Sequence, residues 1–338
     1  MWNEWKTWAA LGIAVFLFLV SVSINLLSAF AFKGIKTDLT DLLSQSEQPF
    51  SEEVVKEGNE LKKIAILDVD GVIQDTGEAQ SLLQSSGYNH QTFLKKLDYV
   101  KDDDSVKGII LRVNSPGGGV VESAEIHNKL LQIEKKTGKP VYVSMGSMAA
   151  SGGYYISTAA NKIYASPETL TGSLGVIMEG INYEGLAKKY GVDFVTIKSG
   201  QYKDIMSPTR KMTDAERQIL QKMIDHSYEG FVKVISDGRH LTIDQVKKIA
   251  DGRVYDGRQA KELKLIDGYG YLDEVIAKMK KDEKLNGAEV IRYTDDLGLG
   301  SLFSMQAKKM MGETPEMAGV MKLLSQPNSP RLMYLYAE

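Results

Sequence analysis

The residues best placed to do chemistry lie in a run of small side chains at residues 146–155, which includes Ser147 and Ser151. A strand pattern beginning at Pro140 precedes this run, and a helix-compatible pattern ending at Ala160 follows it. A serine at such a junction can sit exposed on a tight turn, close to the backbone N–H groups that open the helix. The pattern fits a serine nucleophile, and it fits equally a helix start at which small residues let two backbones approach.

A second glycine-rich segment, NSPGGG at residues 114–119, follows the buried-strand pattern of residues 108–113. Glycine there permits positive φ and lets a ligand approach main-chain N–H groups. Such donors can form an oxyanion hole, in which each well-placed N–H is worth roughly 3–4 kcal/mol. A phosphate cradle is the rival interpretation, but the P-loop lysine and Ser/Thr are missing and GxGxxG is not matched. A plain tight turn is the third interpretation.

A serine nucleophile also needs a base, which is usually a histidine. The four histidines of the chain are His90, His127, His226 and His240, and none lies between Ser151 and His226. Because His127 and His226 both fall in helical patterns that favour structural roles, a histidine triad is poorly supported. A Ser-Lys dyad becomes the natural alternative.

Three lysines are candidates for that base, namely Lys162, Lys198 and Lys203. Lys203 lies in a loop after the strand pattern of residues 194–197, with Tyr202 beside it. A lysine acts as a base near neutral pH only if its pKa falls about 3 units from 10.4, which costs roughly 4 kcal/mol and is within reach of desolvation. Loop lysines are usually solvated charges, and spacing alone does not distinguish the three.

The surrounding elements alternate between strand and helix patterns. This alternation predicts βαβ units and an α/β domain over residues 62–285. Strand patterns occur at residues 62–73, 108–113, 140–145, 163–165, 176–178 and 194–197, and a capping box opens a long helix at Thr213. Residues 286–338 form a C-terminal extension with one strand pattern, at residues 290–293, and a Met-rich tail.

The N-terminal segment is strongly apolar, with about 26 uncharged residues at positions 7–32. That length suits a tilted transmembrane helix. A cleavable signal peptide is the alternative, but its apolar region would be about 7–15 residues long. We predict a retained anchor over residues 1–33 and a polar stalk over residues 34–61. Lysines on both sides of the span leave its orientation open.

Composition narrows the function classes further. The net charge of −3 over 338 residues gives no sign of nucleic-acid binding. The chain has no cysteine, so it forms neither disulfides nor Cys-ligated metal sites. The predicted chemistry calls for no metal and no nucleotide cofactor.

Four motifs in order resemble the bacterial signal peptide peptidase A family. They are NSPGGG at 114–119, MAASGGYY at 148–155, LTGSLGV at 170–176 and DGRVYDGRQA at 251–260. The anchor and the tail at residues 329–336 also resemble the short, single-repeat form of Bacillus-type bacteria. The resemblance covers residues 62–285 and implies a Clp protease/crotonase-like fold, a spiral of βαβ units.

The resemblance also assigns roles to individual residues. It implies that Ser151 is the nucleophile, that Lys203 is the general base and that Ser173 orients the lysine. Gly118 is implied as an oxyanion-hole donor, with the Gly152 N–H as a second one.

For the whole protein the resemblance implies a membrane-anchored serine endopeptidase that degrades remnant signal peptides after their release from preproteins. Its substrates would be apolar peptides with small or aliphatic side chains at the cleavage site. Its catalytic domain would lie on the extracytoplasmic side of the cell membrane. By similarity to double-length relatives, Ser151 and Lys203 would meet across a subunit boundary in a homo-oligomer, a dome-shaped octamer.

Two other function classes are compatible with the pattern. A crotonase-type acyl-CoA enzyme would share the fold and the glycine loop but would not need Ser151. A non-catalytic membrane scaffold would share the fold without the activity. The apolar tail at residues 332–337 either enters an active site of its own assembly as a substrate-like plug or is a disordered or edge-packed terminus.

Overall fold

The computed structural model describes residues 50–75, 88–295 and 332–336 of the chain. The predicted anchor over residues 1–33 lies outside this part, as do most of the predicted stalk and most of the C-terminal extension. Within the described ranges, the helices are all too short or too polar to cross a membrane.

The described strands and helices follow one another in a mixed α/β order. The strands are β1 (Phe50–Lys56), β2 (Asn59–Asp70), β3 (Val106–Ser115), β4 (Gly117–Gly119), β5 (Val141–Ala150), β6 (Lys162–Ala165), β7 (Leu170–Gly172), β8 (Val254–Tyr255), β9 (Gly268–Tyr269), β10 (Ala288–Asp295) and β11 (Met333–Leu335). The helices are α1 (His90–Asp102), α2 (Val120–Thr137), α3 (Gly152–Ser157), α4 (Glu184–Lys189), α5 (Asp214–Arg239), α6 (Ile243–Ile249), α7 (Gly257–Glu262) and α8 (Leu272–Asp282).

The main sheet has the strand order β1-β10-β2-β3-β5-β6-β9, with β7 beside the end of β5 and β8 beside β7. Strands β10, β2, β3, β5, β6 and β9 run parallel to one another, whereas the edge strand β1 pairs with β10 in antiparallel fashion. Parallel strands joined by helices are the βαβ units that the sequence predicts. The α/β fold is therefore confirmed.

The core lies on both faces of this sheet. On one face, residues such as Leu111 and Val143 are buried with Leu97 of α1, Ile126 of α2 and Phe231 of α5. On the other face, a second cluster joins the sheet to α8 through residues such as Met279. Burial on both faces explains why β3 has the near-continuous apolar run that marks a central parallel strand.

The sheet extends beyond residues 62–285 at both ends. β1 falls in the predicted stalk, and β10 falls in the predicted extension, yet β10 inserts between β1 and β2. The strand predicted at 194–197 is absent, and its apolar side chains are exposed; Ile197 is 96% exposed. At 176–178 there is only an isolated bridge between Ile177 and Met333.

Candidate active site

Ser151 connects β5 to α3 in a strained backbone conformation, with φ 51° and ψ −113°. Few L-residues adopt this region, and such strain concentrates at functional sites. The turn is fixed by the Ser151 N–H, which donates to Gly172 O at 2.8 Å, and by the Tyr155 N–H, which donates to Ser151 O at 2.8 Å. The side chain is fully buried rather than exposed, and its Oγ has no hydrogen-bond partner among the described residues. The Ser151 hydroxyl at this turn is therefore free of hydrogen bonds to the described residues.

The glycine loop is a short strand, β4, rather than a plain turn. Ile73 holds one edge of it: the Ile73 N–H donates to Gly117 O, and the Gly119 N–H donates to Ile73 O, both at 2.8 Å. A Cβ on Gly118 would lie 1.9 Å from Ile73 O, so only glycine fits there. The other edge of β4 can therefore pair with a second extended segment.

The C-terminal tail occupies that other edge. β11 pairs with β4 in antiparallel register, with Tyr334 opposite Gly118. On its far side, Met333 exchanges two backbone hydrogen bonds with Ile177, at 2.9 and 3.0 Å. The tail is thus held between two backbone segments, which is the geometry of peptide recognition by strand addition. The tail is therefore ordered as an edge-paired strand at β4, and whether it acts as a substrate-like plug stays a prediction.

The carbonyl group of Tyr334 lies next to the proposed oxyanion donors. Bonds from the Val120 N–H to Leu332 O, and from the Tyr336 N–H to Pro116 O, put Gly118 and Tyr334 at a hydrogen-bonded position of the ladder. A Cβ built on Gly152 would lie 3.0 Å from both Gly118 N and Tyr334 O. The two glycines and this carbonyl therefore converge at the start of α3.

The Tyr334 side chain fills an aromatic pocket and is 2% exposed. Its ring stacks on Tyr155 with centroids 4.9 Å apart and lies 4.5 Å from the ring of Phe231. Its hydroxyl donates to Ser227 O at 3.0 Å. In this chain the pocket holds a large aromatic side chain, while the small or aliphatic cleavage-site preference that the resemblance implies stays a prediction.

His127 lies behind this pocket, edge-on to Tyr155 at a centroid distance of 5.2 Å. Burial lowers the pKa of its imidazole to about 4, so the ring is neutral near pH 7. No hydrogen bond joins it to Ser151, whose Oγ is unpartnered within the described chain. The structure therefore offers no histidine base for this serine among the described residues.

Ser173 lies beside Ser151 because β7 runs parallel to the end of β5. Ala150 pairs with Gly172, and the two serines are the next residues along each strand. Ser173 has φ 50°, is buried, and donates its N–H to Arg253 O at 2.8 Å. The motif that contains Arg253 thus supports the turn at Ser173.

The three candidate lysines have different surroundings. Lys162 pairs with Tyr142 at the start of β6, about 25–30 Å along the strand from Ser151. The Lys198 ammonium is paired with Asp204 at 2.6 Å. Lys203 is exposed, and within the described chain it makes no side-chain hydrogen bond to Ser151 or Ser173. The described chain therefore brings the two serines side by side without a hydrogen bond from Lys203 to either.

Several residues around the site could not be predicted from the sequence, because no motif near them indicates a functional role. A Cβ on Gly152 would lie 2.6 Å from Oγ of Ser123, a buried hydroxyl without a hydrogen-bond partner among the described residues. Tyr155 and Phe231 build the pocket from helices α3 and α5. Ile73 is distant in sequence from β4, and only the three-dimensional fold brings it there.

The comparisons with known proteins show the family to which this chain is related. The model of peptidase family S49 matches residues 133–286, and that of Clp protease matches residues 83–171. A protein named "Putative signal peptide peptidase SppA", from Enterococcus faecium, is 40% identical over 98% of both chains. Protease 4 of Salmonella typhi is 37% identical over 69% of this chain and 37% of its own. The chloroplastic serine protease SPPA of Arabidopsis thaliana is 33% identical over 58% of this chain and 29% of its own.

The match to peptidase family S49 and the protease relatives show that the chain is a serine endopeptidase, with a Clp-protease-like α/β fold. The similarity to the Enterococcus faecium protein extends over nearly the whole chain, well beyond the motifs. The chain belongs to the signal peptide peptidase A family, within peptidase family S49.

Proposed function

We propose that the protein is a membrane-anchored endopeptidase that uses a Ser-Lys dyad to degrade remnant signal peptides after their release from preproteins. The observation that carries this proposal is the tail strand β11, which lies along β4 with the Tyr334 carbonyl beside Gly118 and Gly152. A peptide bound in this way presents its backbone to the turn that carries Ser151.

The proposed reaction combines the groups around that carbonyl with Lys203, which the family resemblance supplies as the base. The neutral Lys203 amine removes the Ser151 proton, and Oγ attacks the peptide carbonyl carbon. The N–H groups of Gly118 and Gly152 stabilise the oxyanion. The lysine returns its proton to the leaving amine, and water, activated by the same lysine, then hydrolyses the acyl-enzyme. Ser173 orients the lysine.

We propose that Lys203 serves the Ser151 of a neighbouring subunit in a homo-oligomer, a dome-shaped octamer. The segment from residue 181 to residue 203, which we call the arm, supports this proposal. Its apolar side chains are unusually exposed, with Val195 at 88% and Ile197 at 96%. Exposed apolar patches of this kind mark interaction sites. Ser151, which needs a base, is also left without a partner in the described chain.

Signal peptides are apolar, and the site suits them. The pocket is lined by Tyr155 and Phe231, and the groove binds the backbone in extended form. Signal peptides are retained in the membrane after cleavage, so an anchor over residues 1–33, with the catalytic domain on the extracytoplasmic side, would place enzyme and substrate together.

A synthetic signal peptide incubated with the full-length protein in detergent tests this function. Fragments identified by mass spectrometry should appear with the wild type and not with Ser151→Ala. The same sequence, still joined to a folded preprotein, should be cleaved much more slowly. Equal cleavage by Ser151→Ala would refute the proposed nucleophile, and equal cleavage of the preprotein would refute the preference for released peptides.

A further inference from the structure

The loop that carries Lys203 is held by a network of ion pairs. The proposed reaction gives these charged groups no role. Asp204, the next residue, accepts bonds on both carboxylate oxygens. The Arg210 guanidinium donates Nε to Oδ2 and Nη2 to Oδ1, each at 2.8 Å, and the Lys198 ammonium donates to Oδ1 at 2.6 Å. The carboxylate next to the proposed base is therefore fully occupied by two cations.

Arg210 is held on its other side by Glu216. Its Nη1 donates to Oε2 at 2.9 Å, and its Nη2 donates to Oε1. Glu216 is 2% exposed and forms the capping box of α5 with Thr213. The guanidinium thus joins the Lys203 loop to the first turn of a 26-residue helix. We call Lys198, Asp204, Arg210 and Glu216 the charge clamp.

The loop that contains Arg210 also holds the start of the arm through its backbone. The Asn182 side chain donates to Arg210 O at 2.7 Å, and the Tyr183 N–H donates to Pro208 O at 2.8 Å. The loop is thereby fixed to α4 as well as to α5. Both acceptors are main-chain carbonyl groups, so these bonds hold the loop backbone independently of the charged side chains.

The charge clamp also affects the electrostatics of the proposed base, because Asp204 is a carboxylate next to Lys203 in the chain. A carboxylate within about 4–6 Å of an amine favours the protonated ammonium, typically by 1–3 pKa units, whereas a general base has to be neutral. Hydrogen bonds from Arg210 and Lys198 lower the pKa of the Asp204 carboxyl, so it stays ionised. An ionised Asp204 without these partners would be free to pair with Lys203.

We propose that Arg210 is a positioning residue that holds Asp204 away from Lys203 and keeps the lysine amine available as a base. This inference rests on the proposed function. The charged groups around the loop are those of the charge clamp, together with Lys211, Glu184 and Lys188.

The pH dependence of peptide hydrolysis by the full-length protein tests this proposal. In Arg210→Gln, the midpoint of the acid limb should rise by about 1 pH unit, which gives roughly tenfold lower activity on that limb. Activity well above the midpoint should change little. The double variant Asp204→Asn/Arg210→Gln should return the midpoint to the wild-type value, because the competing carboxylate is gone.

Three further variants complete the test. Lys198→Gln removes one cation from Asp204 without touching α5, so a smaller shift in the same direction is expected even if Arg210→Gln fails to fold. Lys233→Gln breaks the exposed Lys233–Asp237 pair on α5 and should leave the profile unchanged. Lys203→Ala separates this proposal from the proposed function, since full activity in that variant would refute the dyad itself. If the dyad is intact, an unmoved acid-limb midpoint in a folded Arg210→Gln or in Lys198→Gln overturns the inference. The inference is also overturned if the double variant Asp204→Asn/Arg210→Gln does not return the midpoint to the wild-type value.

Discussion

Tyr334 of the tail and Gly118 of the glycine strand are register partners in an antiparallel pair. This pairing places the Tyr334 carbonyl beside the Gly152 backbone, one residue after Ser151. In a single chain, the C-terminal residues therefore lie along the glycine strand with one carbonyl group beside the turn that carries Ser151.

The tail should act as a tethered competitor of substrate. A tethered segment acts at millimolar effective concentration and outcompetes micromolar peptide. Truncation after Ser325, or Tyr334→Ala, should lower the apparent KM several-fold and leave kcat unchanged in steady-state assays. Tyr336→Ala is the matched control, since that residue contributes its backbone N–H to the strand. Unchanged kinetics in both tail variants would show that the tail leaves the site in solution.

Gly152 should tolerate no side chain. A Cβ there would meet Ser123 Oγ at 2.6 Å and both Gly118 N and Tyr334 O at 3.0 Å. Gly152→Ala should therefore lose on the order of 100-fold in kcat, the amount typical of a disturbed oxyanion hole. Gly230→Ala on α5 meets nothing within 4 Å and serves as a control, with unchanged kcat and slightly higher stability. Wild-type kcat in a folded Gly152→Ala would remove Gly152 from the oxyanion hole.

His127 should make the fold sensitive to acid. Its pKa is lowered to about 4 by burial, against about 6.5 in the unfolded chain. The neutral ring is fully compatible with folding above pH 6.5, and stability is lost as the pH falls from 6.5 towards 4. The loss approaches about 3 kcal/mol at pH 4 by linkage.

Denaturant titrations at pH 7.5, 5.5 and 4.5 measure this effect. The free energy of unfolding should fall more steeply with decreasing pH for the wild type than for His127→Gln. If the free energy of unfolding fell equally with pH in the wild type and in His127→Gln, the acid sensitivity would not be due to His127.

The sequence predicts the parts of this site that depend on local pattern. The turn at Ser151 and the glycines of β4 follow directly from strand ends that run into small residues, and the capping box at Thr213 is confirmed. The alternation of strand and helix patterns also predicts the βαβ units of the sheet. Local signals of this kind are independent of distant partners.

Other features depend on partners far away in the chain. β10 pairs with β2 across more than 200 residues, and nothing in its own pattern indicates that position. The apolar alternation at residues 194–197 predicts a strand, but the segment finds no partner within the described chain and stays exposed. The aromatic pocket needs Tyr155, Phe231 and Tyr334 from three separate elements, so spacing could not reveal its size.

The most direct test of the shared dyad uses the two inactive variants together. In a ring whose sites each take the serine from one subunit and the lysine from the next, random mixing restores about a quarter of the sites. Full-length Ser151→Ala and Lys203→Ala are dissociated, mixed in equal amounts and reassembled, and hydrolysis of an apolar fluorogenic peptide is measured. Wild type mixed with the double variant measures how completely subunits exchange. We expect each variant alone to be inactive and the mixture to regain about a quarter of the wild-type rate; an inactive mixture despite complete exchange, or full activity of either variant alone, would contradict the shared dyad.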